Sequence, residues 1–356
     1  MTCGRSARTL SEGEFNTMSA SKRLLLVVPL LLAPVLILAA PGEIKLATLA
    51  PANTSWHKAL LDMGSAWNKE TGGRVTLTVY PGGIQGDEST TIKKMRPGID
   101  TLQASFLTAV GLAELDEAFN VFAMPFFFEN DEEEIAVEKK LTPLLEQKLQ
   151  AKGFHLLSWG TGGWVQVFSK KPLRSLADVK NAKLFTSKGA DKWVQWYVAN
   201  GFHPVALLPA DIPAQLKLST GLIDTAPNPP YLALSLQIFR DAKYMLDLHI
   251  APLTGALIIS NAAWNRISAE DKPKVTAAAQ ALEKRVRAEA PAQDAESVKQ
   301  MTARGLQVIT LDPKAAAEFR SAANGLTATM RGSMVPPDVY DMAVQERDSL
   351  RKSKGK

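Results

Sequence analysis

Residues 43–80, EIKLATLAPANTSWHKALLDMGSAWNKETGGRVTLTVY, carry the pattern from which the fold class follows. Glu43–Leu49 alternates apolar and polar side chains, the period of a strand with one buried face. Pro51-Ala52-Asn53-Thr54 breaks that period with residues that favour turns. Trp56, Leu60, Met63 and Trp67 then recur at helical spacing on one face, with Thr54 or Ser55 as the N-cap. Thr71-Gly72-Gly73 stops the helix, and Val75–Tyr80 alternates again. A strand, a helix and a second strand in this rhythm describe a parallel pair joined by a crossover.

The same alternation continues. Pro81–Gly83 ends the second strand, a helix carries Ile92 and Met95, and a third strand is expected near Ile99–Ala104. Asp131–Ala151 reads as a long charged helix, its acidic start Asp131–Glu134 matched to the helix dipole. Phe154–Trp159 and Trp164–Ser169 read as strands on either side of a glycine-rich bend, Gly160–Gly163. Helices are expected at Lys192–Asn200, Ile212–Thr220 and Ala269–Ala288, the last with Val275, Ala279, Leu282 and Val286 on one face. Strands are expected at Ile223–Ala226, running into Pro227–Pro230, at Gly255–Ser260 and at Leu306–Leu311. The tail Arg351–Lys356 reads as a frayed polar end. The chain is therefore α/β, with two units of similar size, a boundary around Gly160–Gly163 and a second crossing near Ile250–Gly255.

The 356 residues carry a formal charge of +5 and are 46% hydrophobic and 22% charged, values of an ordinary globular protein. No clustered Lys/Arg stripe is present, which argues against a nucleic-acid partner. Lys22 and Arg23 precede the apolar run Leu24–Leu38 and the small residues Ala39-Ala40. This is the pattern of a secretory signal peptide over residues 1–40, with Met18 as an alternative start. An uncleaved anchor is the other reading, but the run is shorter than the roughly 20 residues a membrane helix needs, and Pro29 and Pro34 interrupt it. Cys3, the only cysteine, lies before the signal. The exported part accordingly has no disulfide, thiolate metal site or thiol nucleophile.

Nothing in the chain reads as catalytic. His57, His155, His203 and His249 lack metal-ligand spacing, and the HExxH, GxSxG, GxGxxG and GxxxxGK[ST] patterns are absent. No enzyme, cofactor or metal is expected. The informative residues are aromatic: Trp56 after a strand-ending loop, Phe126 in the apolar loop Met124–Phe128, Trp159 and Trp164 around the glycines, and Phe185 on the next strand. Any one of them taken alone reads as core. Together at strand ends, where α/β folds place their ligands, they point to a shared cleft.

Six segments occur in a telling order: LATLAPANTSWHKAL, YPGGIQGDES, MPFFF, SLADVKNAKLF, LSTGLIDTAPNP and ISNAAWNRIS. In these, from about Ile44 to Asp312, the chain resembles the solute receptors of tripartite ATP-independent periplasmic (TRAP) transporters, the DctP-like group. The resemblance implies a periplasmic, non-enzymatic receptor of two lobes, each a mixed, mostly parallel sheet flanked by helices. The chain would cross between the lobes more than once, with one long helix bracing both. Residues 41–162 with about 251–290 would form one lobe, residues 163–250 with about 291–345 the other, and 346–356 a polar tail. The receptor would capture a small organic solute, most often a carboxylate, and deliver it to membrane permease subunits.

One departure stands out. Members of that group usually pair the ligand carboxylate with an arginine on the strand after the DLKGLK-like turn. That position is Phe185 here, and the position of a second arginine found in some members falls near Val165. The turn glycine has become Asn181 or Ala182. Two readings follow. Lys183 or Lys188 replaces the lost cation, or the solute is less acidic and more apolar, held by Phe185, Trp164, Trp159 and Trp56 and oriented by Asn228 or Gln103. Phe126 and Tyr231 complete the candidate set. Phe185 as plain core, with the site moved elsewhere, is a third reading. A receptor that serves a membrane sensor, or that carries a lipid-like molecule, is the alternative to one that feeds a permease.

Overall fold

The computed structural model describes residues 42–217 and 221–355. The expected signal peptide and the Met18 start lie outside the described residues. No helix among the described residues is long and apolar enough to cross a membrane.

In chain order the elements are β1 (Gly42–Thr48), α1 (Ser55–Glu70), β2 (Val75–Tyr80), α2 (Glu88–Lys94), β3 (Ala104–Thr108), α3 (Ala109–Leu112) and α4 (Asp131–Ala151). There follow β4 (Phe154–Trp164), β5 (Gln166–Ser169), α5 (Leu176–Lys180), β6 (Lys183–Ser187), α6 (Asp191–Ala199), β7 (His203–Leu207), α7 (Ile212–Lys217) and β8 (Thr225–Asn228). The chain continues through α8 (Pro230–Ser235), β9 (Tyr244–Leu246), β10 (Pro252–Ser260), α9 (Asn261–Arg266), α10 (Lys272–Thr302), β11 (Gln307–Ile309), α11 (Pro313–Ala328) and α12 (Pro337–Ser353).

The described strands form two mixed sheets, ordered β2-β1-β3-β10-β4 and β11-β9-β5-β8-β6-β7. β1 runs parallel to both β2 and β3, as the crossover rhythm predicts. β10 is antiparallel to β3 and β4, because it enters the first sheet on its return from the second. In the second sheet β6 is parallel to β7 and β8, whereas β5 is antiparallel to β8 and β9.

On α1, Thr54 caps the helix by accepting from the His57 N–H, and Trp56, Leu60, Met63 and Trp67 are buried on its inner face. The Trp67 indole is fully buried and donates to the Val275 carbonyl at 3.0 Å, which ties α1 to α10. α10 carries Val275, Ala279, Leu282 and Val286 into the core of the first sheet. Its far end sets Met301 and Val298 against the core of the second. One helix thus braces both sheets.

Several local expectations change. The glycines at Gly160–Gly163 do not separate two strands; β4 runs continuously through them, with a shift of its register against β10 between Thr161 and Trp164. They are glycine because side chains from elsewhere occupy the space of a Cβ: one on Gly160 would lie 2.6 Å from the Trp56 ring, and one on Gly163 2.2 Å from the Asp294 carboxylate. Gly163 also has φ +93°, a region costly for any other residue. The third strand starts at Ala104 rather than Ile99, which is exposed after the Gly98 turn. β8 takes in Pro227 and Asn228; β6 pairs with it only at Thr225, so the proline lies where one side of the strand is open. α10 continues past Ala288 to Thr302 despite Pro291. The tail is not frayed at Arg351, because α12 extends through it and its guanidinium grips Glu133 with two bonds of 2.8 Å.

A charged cluster joins α4 to α10. The Arg287 guanidinium donates to Glu134 at 3.0 Å, contacts Glu138 closely and stands 3.6 Å from Glu283. The Thr254 hydroxyl of β10 donates to Glu134 at 2.6 Å. One guanidinium serves three carboxylates. Burial pushes Glu134 and Glu138 above the usual carboxylate range more strongly than Arg287 pulls them down.

Candidate functional site

The ends of β1, β3, β6 and β8 converge where the chain crosses between the sheets, at Val165 and at Ile250–Pro252. The two crossings are bonded to each other: Val165 donates to the Ala251 carbonyl at 2.9 Å and Ile250 to that of Val165 at 3.0 Å. Two adjoining cavities open there. One, of about 200 Å³, is lined by aromatic residues of α6, among them Trp193, Trp196 and Tyr197, and by Phe126, Phe202 and Phe319. The other, of about 170 Å³, is lined by Trp56, Phe106, Leu232, Leu236, Asn228 and Glu88. Val165, Phe185, Ser187, Pro227 and Leu253 line both, so Phe185 stands at the neck between them.

Among the described residues, no Lys, Arg or His lines either cavity, and Glu88 is the single charged residue that does. Glu88 is buried, with Oε1 accepting from the Thr108 N–H at 2.6 Å and Oε2 from its hydroxyl at 2.8 Å. Burial pushes its carboxyl up to about 7, against the lowering effect of the Thr108 bonds. Two buried donors in the cleft, Trp196 Nε1 and Asn228 Nδ2, have no hydrogen-bond partner among the described residues. Burial also pushes the Tyr197 phenol up to about 12.

The sequence candidates divide into two groups. Phe185, Trp56, Phe126 and Asn228 line the cleft. Trp56 packs on Phe106 at 4.3 Å between ring centres and donates to the Thr161 carbonyl at 3.0 Å. Phe126 has φ +56°, a strained conformation for an aromatic residue; it is held by its N–H on the Ile250 carbonyl and by the Phe319 ring.

The other candidates face elsewhere. Trp159 points to the opposite face of β4 from Gly160, packs on Phe119 and Phe122, and donates to Thr142 at 3.0 Å: it is core. Gln103 braces the chain before β3, accepting from Lys45 N–H and donating to the Asp100 carbonyl. Trp164 donates to Asp131 at 2.7 Å, stacks on His249 and lines a separate cavity of about 390 Å³ beside Pro291 and Asp294. Tyr231 lies beside the cleft, its hydroxyl accepting from the Ser55 N–H at 2.6 Å. Neither Lys183 nor Lys188 lines the cleft. Lys183 shares a strand face with Phe185 but is exposed at the opening residue of β6, whereas the cleft lies at the strand's other end.

Asp294 holds this region together. Its two oxygens accept from the Tyr231 N–H at 3.0 Å and the Trp164 N–H at 3.3 Å, which ties α10 to α8 and to the β4–β5 crossing. Burial raises its carboxyl to about 6.

Sequence reading passed over Glu88, Phe106 and the α6 aromatics. Phe106 stands in β3 near its end, and Trp193, Trp196 and Tyr197 cluster on a helix, so both carried a legible signal. Glu88 follows an Asp87 N-cap and looks like any first-turn acid.

The fold has close solved counterparts. A TRAP periplasmic solute-binding protein from Xanthobacter autotrophicus Py2, with bound β-D-galacturonate, superposes with a TM-score of 0.77 at 24% identity, covering 86% of this chain and 99% of that one. The 2,3-diketo-L-gulonate-binding periplasmic protein YiaO of Escherichia coli is 24% identical over 264 residues, 73% of this chain and 79% of that protein. An uncharacterized protein of Haemophilus influenzae is 26% identical over 204 residues, 57% of this chain; the match spans 60% of that relative's length. The model of the bacterial extracellular solute-binding proteins, family 7 (DctP), matches residues 46–332, and the chain belongs to that family, the solute-binding proteins of TRAP transporters, which bind their cargo and are not enzymes.

Proposed function

We propose that this receptor captures a predominantly apolar, uncharged-to-cationic solute in the periplasm and hands it to membrane permease subunits, rather than taking a sugar acid or dicarboxylate. The observation that carries this reading is the absence of any Lys or Arg lining either cavity among the described residues. A buried carboxylate needs a paired cation or several donors, and its ionised form is otherwise expelled from an apolar site. The unpartnered donors Trp196 and Asn228 suit a neutral acceptor such as a carbonyl or ether oxygen. Phe185 at the neck replaces charge with apolar surface, so an elongated solute can run from the α6 aromatics to Trp56.

Ligand binding stabilises the folded state by RT ln(1 + L/Kd), L being the free ligand concentration, so at equal concentration the tighter ligand raises the melting temperature more. A thermal-shift panel should show stabilisation by aryl-alkyl alcohols and amines and none by D-galacturonate, D-glucuronate or succinate. Strong stabilisation by the acids, with none by the apolar compounds, would reject the reading.

A further inference from the structure

We infer that the solute carries a protonated amine that seats on Glu88, with its apolar remainder along Trp56, Phe106 and Phe185. This rests on the apolar reading of the cleft and narrows it to a chemical class: an amphiphilic amine.

The geometry at Glu88 leaves room for such a partner. Its carboxyl occupies the space left by Gly111, where a Cβ would fall 2.5 Å from Oε2. Thr108 supplies one donor to each oxygen. A carboxylate has about four acceptor directions, so each oxygen keeps one free. The charges that act on it are Asp87, the N-cap of α2, and Glu114, beyond α3; both are acidic. Glu114 in turn faces Asp87, Asp191 and Lys93, the last being the single cation of the group. Glu88 is 6% exposed and has no ion-pair partner among the described residues.

Each solute class makes a different demand on this carboxyl. A carboxylate solute brings a second anion into the same cavity. An alcohol fills one acceptor direction and leaves the charge uncompensated. An ammonium group fills it with a charge-assisted bond, roughly twice as strong as a neutral one. Trp56, Phe106 and Phe185 line the same cavity, and an aromatic ring attracts a cation to its face.

The pairing also sets a direction for pH. The ammonium binds the ionised form of Glu88. For a carboxyl at about 7, that form grows about tenfold between pH 6 and pH 8, while an alkylamine near 10.4 stays protonated. Amine affinity therefore rises with pH over this range, and alcohol affinity does not.

The test is calorimetric titration of the wild type and of Glu88→Gln with 3-phenylpropylamine, 3-phenylpropanol and 3-phenylpropanoate at pH 6, 7 and 8. The expected result is that the amine binds most tightly, gains about tenfold from pH 6 to pH 8, and falls to the affinity of the alcohol in Glu88→Gln. The alcohol matching the amine in the wild type, or an amine indifferent to Glu88→Gln, overturns the amine assignment and leaves the apolar cleft standing. The propanoate binding most tightly, or none of the three binding, overturns the apolar reading as well.

Discussion

Arg287→Met should destabilise the protein by about 3–5 kcal/mol, the cost of leaving buried carboxylates without their cation. Arg287 is the guanidinium that Glu134 and Glu138 share, and those two side chains are only 1% and 5% exposed. Burial already holds their carboxyls above the ordinary range, against the lowering pull of Arg287. Without Arg287 they must take up protons or drag water into the packing between α4, α10 and β10. Adding Glu134→Gln and Glu138→Gln to the same chain should recover most of the loss, since the uncompensated charge, not the missing side-chain volume, causes it. Chemical denaturation of the single and triple variants measures both. A single variant within 1 kcal/mol of the wild type would show that the cluster is solvated and carries no such penalty.

Phe185→Arg should change the class of solute. It places a guanidinium at the neck of both cavities. Charge-assisted hydrogen bonds are worth roughly 1.5–3 kcal/mol, so carboxylate affinity should rise about 10- to 100-fold. Apolar solutes should weaken at least about tenfold, because the ring surface is lost and a charge takes its place. Glu88 lines the same cavity and competes for the new cation. Phe185→Arg combined with Glu88→Gln should accordingly bind carboxylates more tightly than Phe185→Arg alone. Titration with 3-phenylpropanoate and 3-phenylpropanol reads both changes. Carboxylate affinity unchanged by Phe185→Arg would mean that residue 185 does not face the solute.

How far these features were legible in the chain depended on how local their causes are. Glu43–Tyr80 gave up its strand, helix and strand because period and turn chemistry act within a few residues. The antiparallel course of β10 was not legible, since it depends on where β3 and β4 already lie. The glycines of β4 misled for a related reason. They read as a bend, yet the strand needs them because Trp56 and Asp294 press against its backbone from α1 and α10.

Site residues followed the same rule. Trp56 and Trp159 looked alike as aromatics near strand ends. Alternation along β4 turns Trp159 away to Thr142, while Trp56 lies across Gly160 at the cleft. Gln103 sits one residue before β3, where its amide bonds to the Lys45 N–H and the Asp100 carbonyl and lines neither cavity. Phe185 was legible through the resemblance, which marked its position as unusual before any geometry was known. Glu88 was not. The role inferred for it depends on no Lys, Arg or His among the described residues lining its cavity, a property of the assembled fold that no segment shows.

The central claim is that this cleft, lined by no Lys, Arg or His among the described residues, prefers an uncharged apolar solute over an acid. Isothermal calorimetry of the wild type with D-galacturonate, the solute bound by the Xanthobacter counterpart, and with 3-phenylpropanol at pH 7 tests it most directly. The account predicts saturable binding of the alcohol and no saturable heat with the uronate. Saturable uronate binding, tighter than the alcohol's, would contradict it.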